Sequence, residues 1–297
     1  MIVLPNKMSN LLNFYRQLVA AQWVPKIVKR ALGRLAMRRH QALFKDRHTR
    51  LTEYQICLMG ESFRFNVDIQ DYTDSYFIYD RCYEEQNLRL LKNDLKRGDI
   101  FIDGGANIGW FTIFASQLVG EEGKVFAVEP CPRNTYVLEK NVQANSAKNI
   151  SIQSVALSDT NGRLELKGRL LNSGAGTIEN DFGADPTVDV FLWNKEVDAL
   201  TLASLFDQND IGICNWLKLD IQGAEPSVIK GSISLFEQGR IKNMIAECGS
   251  VPELEEIHRR LIPFGYRVGK ICEGNIQWMQ PKEEFERKRD YLFTMKR

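Results

Sequence analysis

The sequence has no uncharged apolar run near the roughly 20 residues that cross a bilayer, so a helical membrane span is not expected. Its start lacks a charged stretch followed by an apolar core, which argues against a secretory signal and for a cytoplasmic protein. Histidine is scarce, at three in 297 residues, and none of the six cysteines forms a Cys-x-x-Cys pair. A structural zinc site is therefore not expected, and free buried thiols in a reducing compartment are the default reading. Repeats and low-complexity tracts are absent. Acidic residues are nearly missing from the first 50 positions, where 11 Lys/Arg face only Asp46, a net +10. The remaining residues hold 28 basic against 37 acidic groups, a net −9. A basic arm precedes an acidic body.

Within residues 8–45, apolar positions recur at helical spacing, with Pro25 dividing two helices. The second carries Lys26, Lys29, Arg30, Arg34, Arg38 and Arg39. Peripheral contact with anionic lipid is one reading, and would add membrane association to the cytoplasmic location. A helical arm packed on its own body or on the partner of a homo-oligomer is the other. Nucleic acid is not an expected partner, since no recognised binding module accompanies the charge.

The chain is organised around Gly98–Ala115, GDIFIDGGANIGWFTIFA. Ile100–Ile102 reads as a buried parallel strand closed by Asp103. Gly104, Gly105 and Gly109 allow a sharp turn and a close approach to a ligand. A helix follows with Ile108, Phe111, Ala115 and Leu118 on one face. This is a nucleotide-binding shape. The pattern is Asp103-x-Gly105-x-Asn107-x-Gly109, with Ala106 inside it, rather than Gly-x-Gly-x-x-Gly. An acid at the strand end is a poor neighbour for a pyrophosphate and a good one for a cation. S-adenosyl-L-methionine carries an ammonium and a sulfonium and no phosphate, so the charge favours it.

Upstream, residues 51–80 have strand-like composition, with a hairpin turning at Gly60–Ser62 and a later helix ending at Lys96-Arg97-Gly98. Downstream, expected strands at 124–129, 150–156, 215–220 and 242–247 alternate with helices at 133–144, 202–206, 227–236 and 253–261. Residues 161–200 read as loop with short strands at 163–166 and 188–190. Residues 265–271 and 291–295 form a closing antiparallel pair. Alternation implies an α/β, doubly wound, mostly parallel sheet. Three regions are expected: a basic helical arm over 1–50, a hairpin-and-helix extension over 51–97, and a cofactor-binding domain over 98–297.

Ligands of such sheets bind outside the carboxyl ends of the strands. Those ends are Asp103, Glu129, the Ala156–Asp159 segment, Asp220 and Glu247, four of them bearing a carboxylate. Glu129, 20 residues after Gly109 and followed by Pro130, is placed to accept hydrogen bonds from a ribose diol. Ser158 and Asp159 could edge an adenine. Lys218 shares a strand face with Asp220.

These motifs together resemble the FkbM-type methyltransferases. DGGANIG from Asp103, Glu129-Pro130, ALSD from Ala156 and KLDIQGAE from Lys218 carry the resemblance, with Tyr83-Glu84 before the first strand and Asn172-Ser-Gly-Ala-Gly176 as a Gly-rich loop. Gln222 departs from the family's usual Glu. The resemblance implies a Rossmann-like class I fold and S-adenosylmethionine-dependent O-methylation of a sugar, glycolipid or related small-molecule hydroxyl. It places Glu84, Asp103, Gly104, Gly105, Ala106, Asn107, Gly109, Glu129, Pro130, Ala156, Ser158 and Asp159 around the cofactor and turns Asp220 toward the transferred methyl. Asn172, Ser173, Gly176 and Glu225 then border the acceptor.

Methyl transfer is an in-line displacement that needs alignment and, for an alcohol, a base. Asp220 is the candidate base, with Lys218 and Glu247 as further catalytic candidates. Asp220, Glu225 and Glu247 offer oxygen donors of the kind magnesium takes, but such acids are as often hydrogen-bonded, and no metal is expected. Glu225 also suits the positive end of a helix. Asp220-Ile-Gln-Gly223 stands where nucleic-acid amino methyltransferases carry Asn/Asp-Pro-Pro-Tyr. Tyr136-x-x-x-Lys140 matches a reductase pair but lies too early in the fold. A binding module without chemistry, or an N-methyltransferase, is the alternative.

Overall fold

The computed structural model describes residues 51–69, 71–79, 83–169, 172–177, 192–272, 275–279 and 289–295. The helices expected over 8–45 and the short strand expected over 188–190 lie outside them. The chain divides into two compact units, Met1–Tyr83 and Glu84–Arg297. In the first, β1 (Leu51–Leu58) and β2 (Glu61–Asp68) pair antiparallel. Met59 and Gly60 both have positive φ, as a two-residue hairpin turn of matching twist requires. Residues 72–79, expected to continue the strand composition, instead form helix α1 (Tyr72–Tyr79). Asp71 starts it, its Oδ1 accepting the backbone N–H of Thr73 and Asp74.

The second unit opens with α2 (Glu85–Asp94), which ends at Asp94 with Leu95 as its C-cap, earlier than the expected Gly98. Then follow β3 (Ile100–Gly104), α3 (Trp110–Val119), β4 (Lys124–Val128), α4 (Pro132–Ala144), β5 (Ile150–Gln153) and β6 (Ala156–Leu157). β7 (Gly162–Arg169), β8 (Asn172–Thr177), β9 (Leu192–Leu200) and α5 (Leu202–Gln208) come next. After β10 (Cys214–Leu219) come α6 (Glu225–Gly231), α7 (Ile233–Glu237), β11 (Ile241–Cys248) and α8 (Val251–Leu261). A 3-10 turn, Ile262–Phe264, leads to β12 (Tyr266–Cys272), β13 (Asn275–Trp278) and β14 (Arg289–Met295).

The main sheet runs β13-β12-β14-β11-β10-β3-β4-β5, parallel from β11 to β5 and antiparallel at β14 and β13. This is the doubly wound, mostly parallel architecture expected. Three details differ. The expected strand over 150–156 is split, because β6 leaves the main sheet for a second one ordered β6-β9-β7-β8. The region 161–200, read as loop with short strands, supplies the rest of that sheet. The expected helix 227–236 is two short helices that meet at Ser232.

Period-two alternation assigns the faces. Leu217, Leu219, Met244 and Ala246 pack with the helices after β9 in one apolar cluster. Trp216 and Lys218 point to the opposite face, where Trp216 Nε1 donates to Asp94 of α2 at 2.8 Å and Lys218 lies over Phe111 of α3. Among the described residues, no helix is long and apolar enough to cross a membrane.

Candidate functional site

The first loop is built by close approach. The N–H groups of Gly105 and Ala106 both donate to the Val128 carbonyl, and that of Asp220 donates to the Gly104 carbonyl, each at 3.0 Å. Gly105 has φ +78, and a Cβ there would stand 2.0 Å from the Asp220 carbonyl oxygen. Only glycine lets the β3 and β10 ends come this near. Asn107 is also left-handed, at φ 50, and its N–H donates to Glu129 Oε2 at 2.8 Å. Glu129 Oε1 takes the N–H of Cys131 at 2.9 Å and Asn134 Nδ2 at 3.3 Å. Burial nevertheless pushes Glu129 up to about 7.

A cluster of carboxyl groups lies on the face that carries Lys218. Parallel register puts Asp103 beside Lys218, and antiparallel register puts Glu247 opposite Asp290. Lys218, 3% exposed, sits 3.1 Å from Asp220 Oδ2 and 4.8 Å from the centre of the Phe111 ring. Burial opposes its charge, but Asp220, Glu84 and Asp103 around it outweigh that and raise its pKa above the usual range. Burial, the largest single influence, would raise Asp220, but the Lys218 charge together with hydrogen bonds from Glu247, Lys218 and Gln222 outweighs it and keeps this acid below its ordinary value. Gln222 Nε2 donates to Asp220 Oδ1 at 2.8 Å and to Glu247 Oε2 at 3.1 Å, joining two acids through one nitrogen. The Asp220 charge, then burial, drives Glu247 up to about 10, so Glu247 carries the proton of this pair.

Asn87 repeats the device. Its Nδ2 donates to Glu84 Oε2 at 3.0 Å and to Asp290 Oδ2 at 2.8 Å. Glu84 caps α2 in left-handed geometry, φ 45 and ψ 32, and burial pushes it up to about 8. Asp103 accepts from Thr112 Oγ1 at 2.6 Å through Oδ2, and burial raises its pKa.

The structure thus brings Glu84, Asp103, Lys218, Asp220 and Glu247 together, and separately joins Asn107 to Glu129. Pro130 follows Glu129 at the end of β4. Ala156 is buried in β6, and Ser158, also buried, donates its N–H to the Leu200 carbonyl. Asp159 pairs with Lys230 at 3.1 Å. Glu225 faces its own loop, accepting the N–H of Ile221 at 2.7 Å and of Gly223 at 2.9 Å. Asn172, Ser173 and Gly176 belong to β8, and the side chains of Asn172 and Ser173 lie outside what the structure describes. Among the described residues, no three His, Cys, Asp or Glu side chains are grouped to hold a metal ion. Asn87, Thr112 and Asp290 escaped the sequence reading, and Phe111 was read there only as one residue of a helix face. Only Thr112 had a signal there, as a hydroxyl in the first turn of the helix that follows Asp103.

A family model described as the methyltransferase FkbM domain matches residues 103–268, more than half of the chain. Methyltransferase sdnD of Sordaria araneosa is 27% identical over 217 residues, covering 62% of this chain and 80% of that protein. Aeropyrum pernix fibrillarin, solved with natively bound S-adenosyl-L-methionine, superposes with TM-score 0.41 at 14% identity, over 84% of this chain and 83% of its own. Precorrin-6y C5,15-methyltransferase of Geobacter metallireducens gives TM-score 0.41 at 15% identity, over 72% and 88%.

Proposed function

The chain belongs to the FkbM methyltransferase family and uses S-adenosyl-L-methionine, and from that premise we propose that it methylates a hydroxyl of a sugar, glycolipid or related small metabolite. The residues present fit the cofactor. Asn87 Oδ1, Asp103 Oδ1 and Asn107 Oδ1 are buried acceptors with no protein partner. All three ask for a donor, which a cationic, phosphate-free ligand brings and a pyrophosphate does not. Glu84, Asp103, the 104–109 loop and Glu129 would hold it, with Ser158 and Asp159 at its edge.

When bound, the cofactor supplies a methyl carbon made electrophilic by its sulfonium. The chain has to present an oxygen to that carbon and remove a proton. The observation that carries the hydroxyl reading is the Lys218–Asp220 pair. Lys218, together with the hydrogen bonds from Gln222 and Glu247, keeps Asp220 ionised at neutral pH despite burial, so a carboxylate is ready to accept. A depressed pKa makes it a weak base, and a weak base suffices here. The hydroxyl turns acidic as its oxygen bonds to carbon, so the proton moves to Asp220 late in the step. Glu247, already protonated, shares Gln222 with Asp220 and limits the negative charge beside the reacting oxygen. The apolar face of Phe111 holds the Lys218 ammonium in place.

The test uses S-adenosylmethionine with a radiolabelled methyl group, incubated with extract of the source cell that is afterwards separated into lipid, polysaccharide, nucleic-acid, protein and small-molecule fractions. Alkali-stable label in a glycan, lipid or small-molecule fraction, lost with Asp220→Asn while S-adenosylhomocysteine still binds, is the expected result. Label in nucleic acid or on nitrogen overturns the acceptor assignment.

A further inference from the structure

Asn87 and Asp290 both lie outside the segment that the family model matches. Asn87 is fully buried in the first turn of α2, and Asp290 stands on β14. One amide nitrogen serves two carboxyl groups, at 3.0 Å to Glu84 and 2.8 Å to Asp290, while its own Oδ1 is buried without a partner. Burial raises the pKa of both acids, and each adds to the crowding of the cluster. Glu84 is held there in left-handed geometry, which a residue with a Cβ adopts only when its surroundings force it. A helix-to-strand tie needs no second acid: a single carboxylate would satisfy the Asn87 donors without repulsion.

The Lys218 ammonium offsets part of that repulsion; a proton or a second cation with several N–H donors removes the rest. An alkylammonium group has three N–H donors and one positive charge, and it fits two carboxylates and a carbonyl oxygen. The geometry points to Asn87 and Asp290 as cofactor-site residues: the Asn87 amide holds Asp290 beside Glu84, so that the two carboxyl groups and Asn87 Oδ1 receive the ammonium of the cofactor's methionine moiety. Asp290 is then a direct contact, and Asn87 is both contact and positioning residue. This rests on the cofactor, not on the acceptor hydroxyl.

The test is calorimetric titration of the full chain with two probes, S-adenosylhomocysteine and its deamino analogue, which lacks only the amino group. Wild type is expected to bind the first at least tenfold more tightly. Asn87→Leu and Asp290→Asn are each expected to weaken S-adenosylhomocysteine tenfold or more and to leave the deamino analogue within twofold. Asp290→Asn is isosteric and serves if Asn87→Leu does not fold. Equal loss for both probes would make the pair a structural tie only, and no loss for either would detach it from the cofactor; both overturn the inference. The titration needs no acceptor, so a failure of wild type to methylate a hydroxyl leaves its outcome unaffected.

Discussion

Replacing Lys218 with methionine removes one charge and keeps the stem over Phe111. The ammonium stands 3.1 Å from Asp220 Oδ2, with side chains 4% and 19% exposed. At an effective dielectric of about 20, that separation is worth roughly 5 kcal/mol of Coulomb energy. Deleting one member of a buried pair costs about 3–5 kcal/mol by a separate route, the uncompensated charge left behind. The two agree on about 4 kcal/mol, or roughly 10 °C in Tm for a chain of this size. Adding Asp220→Asn should return at least half of the loss, because the stranded carboxylate is gone. Thermal unfolding of wild type, both single variants and the double variant closes the cycle, with an expected coupling of about 2–3 kcal/mol. The Lys218→Met deficit should shrink at pH 5, where Asp220 can take up a proton. Strict additivity, or a single variant within 1 kcal/mol of wild type (about RT ln 5), would refute Lys218 as the counter-charge of this cluster.

Other outcomes follow from the same geometry. Gly105→Ala puts a methyl 2.0 Å from the Asp220 carbonyl at φ +78; S-adenosylhomocysteine binding should fall by about 100-fold in calorimetry, since each 1.4 kcal/mol is tenfold and two such losses are modest for a backbone clash. Glu225→Ala strips the Ile221 and Gly223 N–H groups of their acceptor. It should cost about 2–4 kcal/mol and speed amide exchange across 221–223, whereas Glu225→Gln keeps one acceptor and should lose less. Stability without cofactor should fall as pH rises from about 5 to 8. Glu129 and Glu225 near 7 and Glu84 near 8 keep protons in the folded state that the unfolded chain has released. The folded state then binds more protons, so the slope is negative, about 1.4 kcal/mol per pH unit for each such group. A denaturant midpoint that rises over that window would contradict the burial of these acids.

The parallel core was readable because Ile100–Ile102, Val125–Val128 and Trp216–Leu219 are short apolar runs bounded by glycine, proline or acid, and no solvated element looks like that. The strand-end acids followed from a topological rule, not from packing, and so needed no coordinates. Of the second sheet, only part of β7 was read within the described residues, as the short strand 163–166, and its full length and partners were missed for the converse reason. Arg163, Glu165 and Lys167 alternate with Leu164 and Leu166, a half-exposed pattern with an apolar side too short to show the length of the strand or its neighbours β8 and β9. Residues 72–79 misled because tyrosine, phenylalanine and isoleucine score as strand while Asp71 starts a helix. Asp290 fell just outside the strand read from Tyr291. Asn87 has no spacing signature at all: its second partner stands 203 residues away, and only tertiary structure brings it near.

The strand order has a consequence for assembly. β14 is the latest of the described strands in sequence, yet it lies between β11 and β12. The β12–β13 ribbon therefore has no neighbour in the main sheet until β14 threads into the gap. That same insertion delivers Asp290 to Asn87. Closing so distant a pair is the slow, high-contact-order part of folding, deferred until nearly all of the described chain has been synthesised. A nascent chain can form the glycine loop and β10 early, but its acidic cluster becomes complete only when the keystone strand is seated.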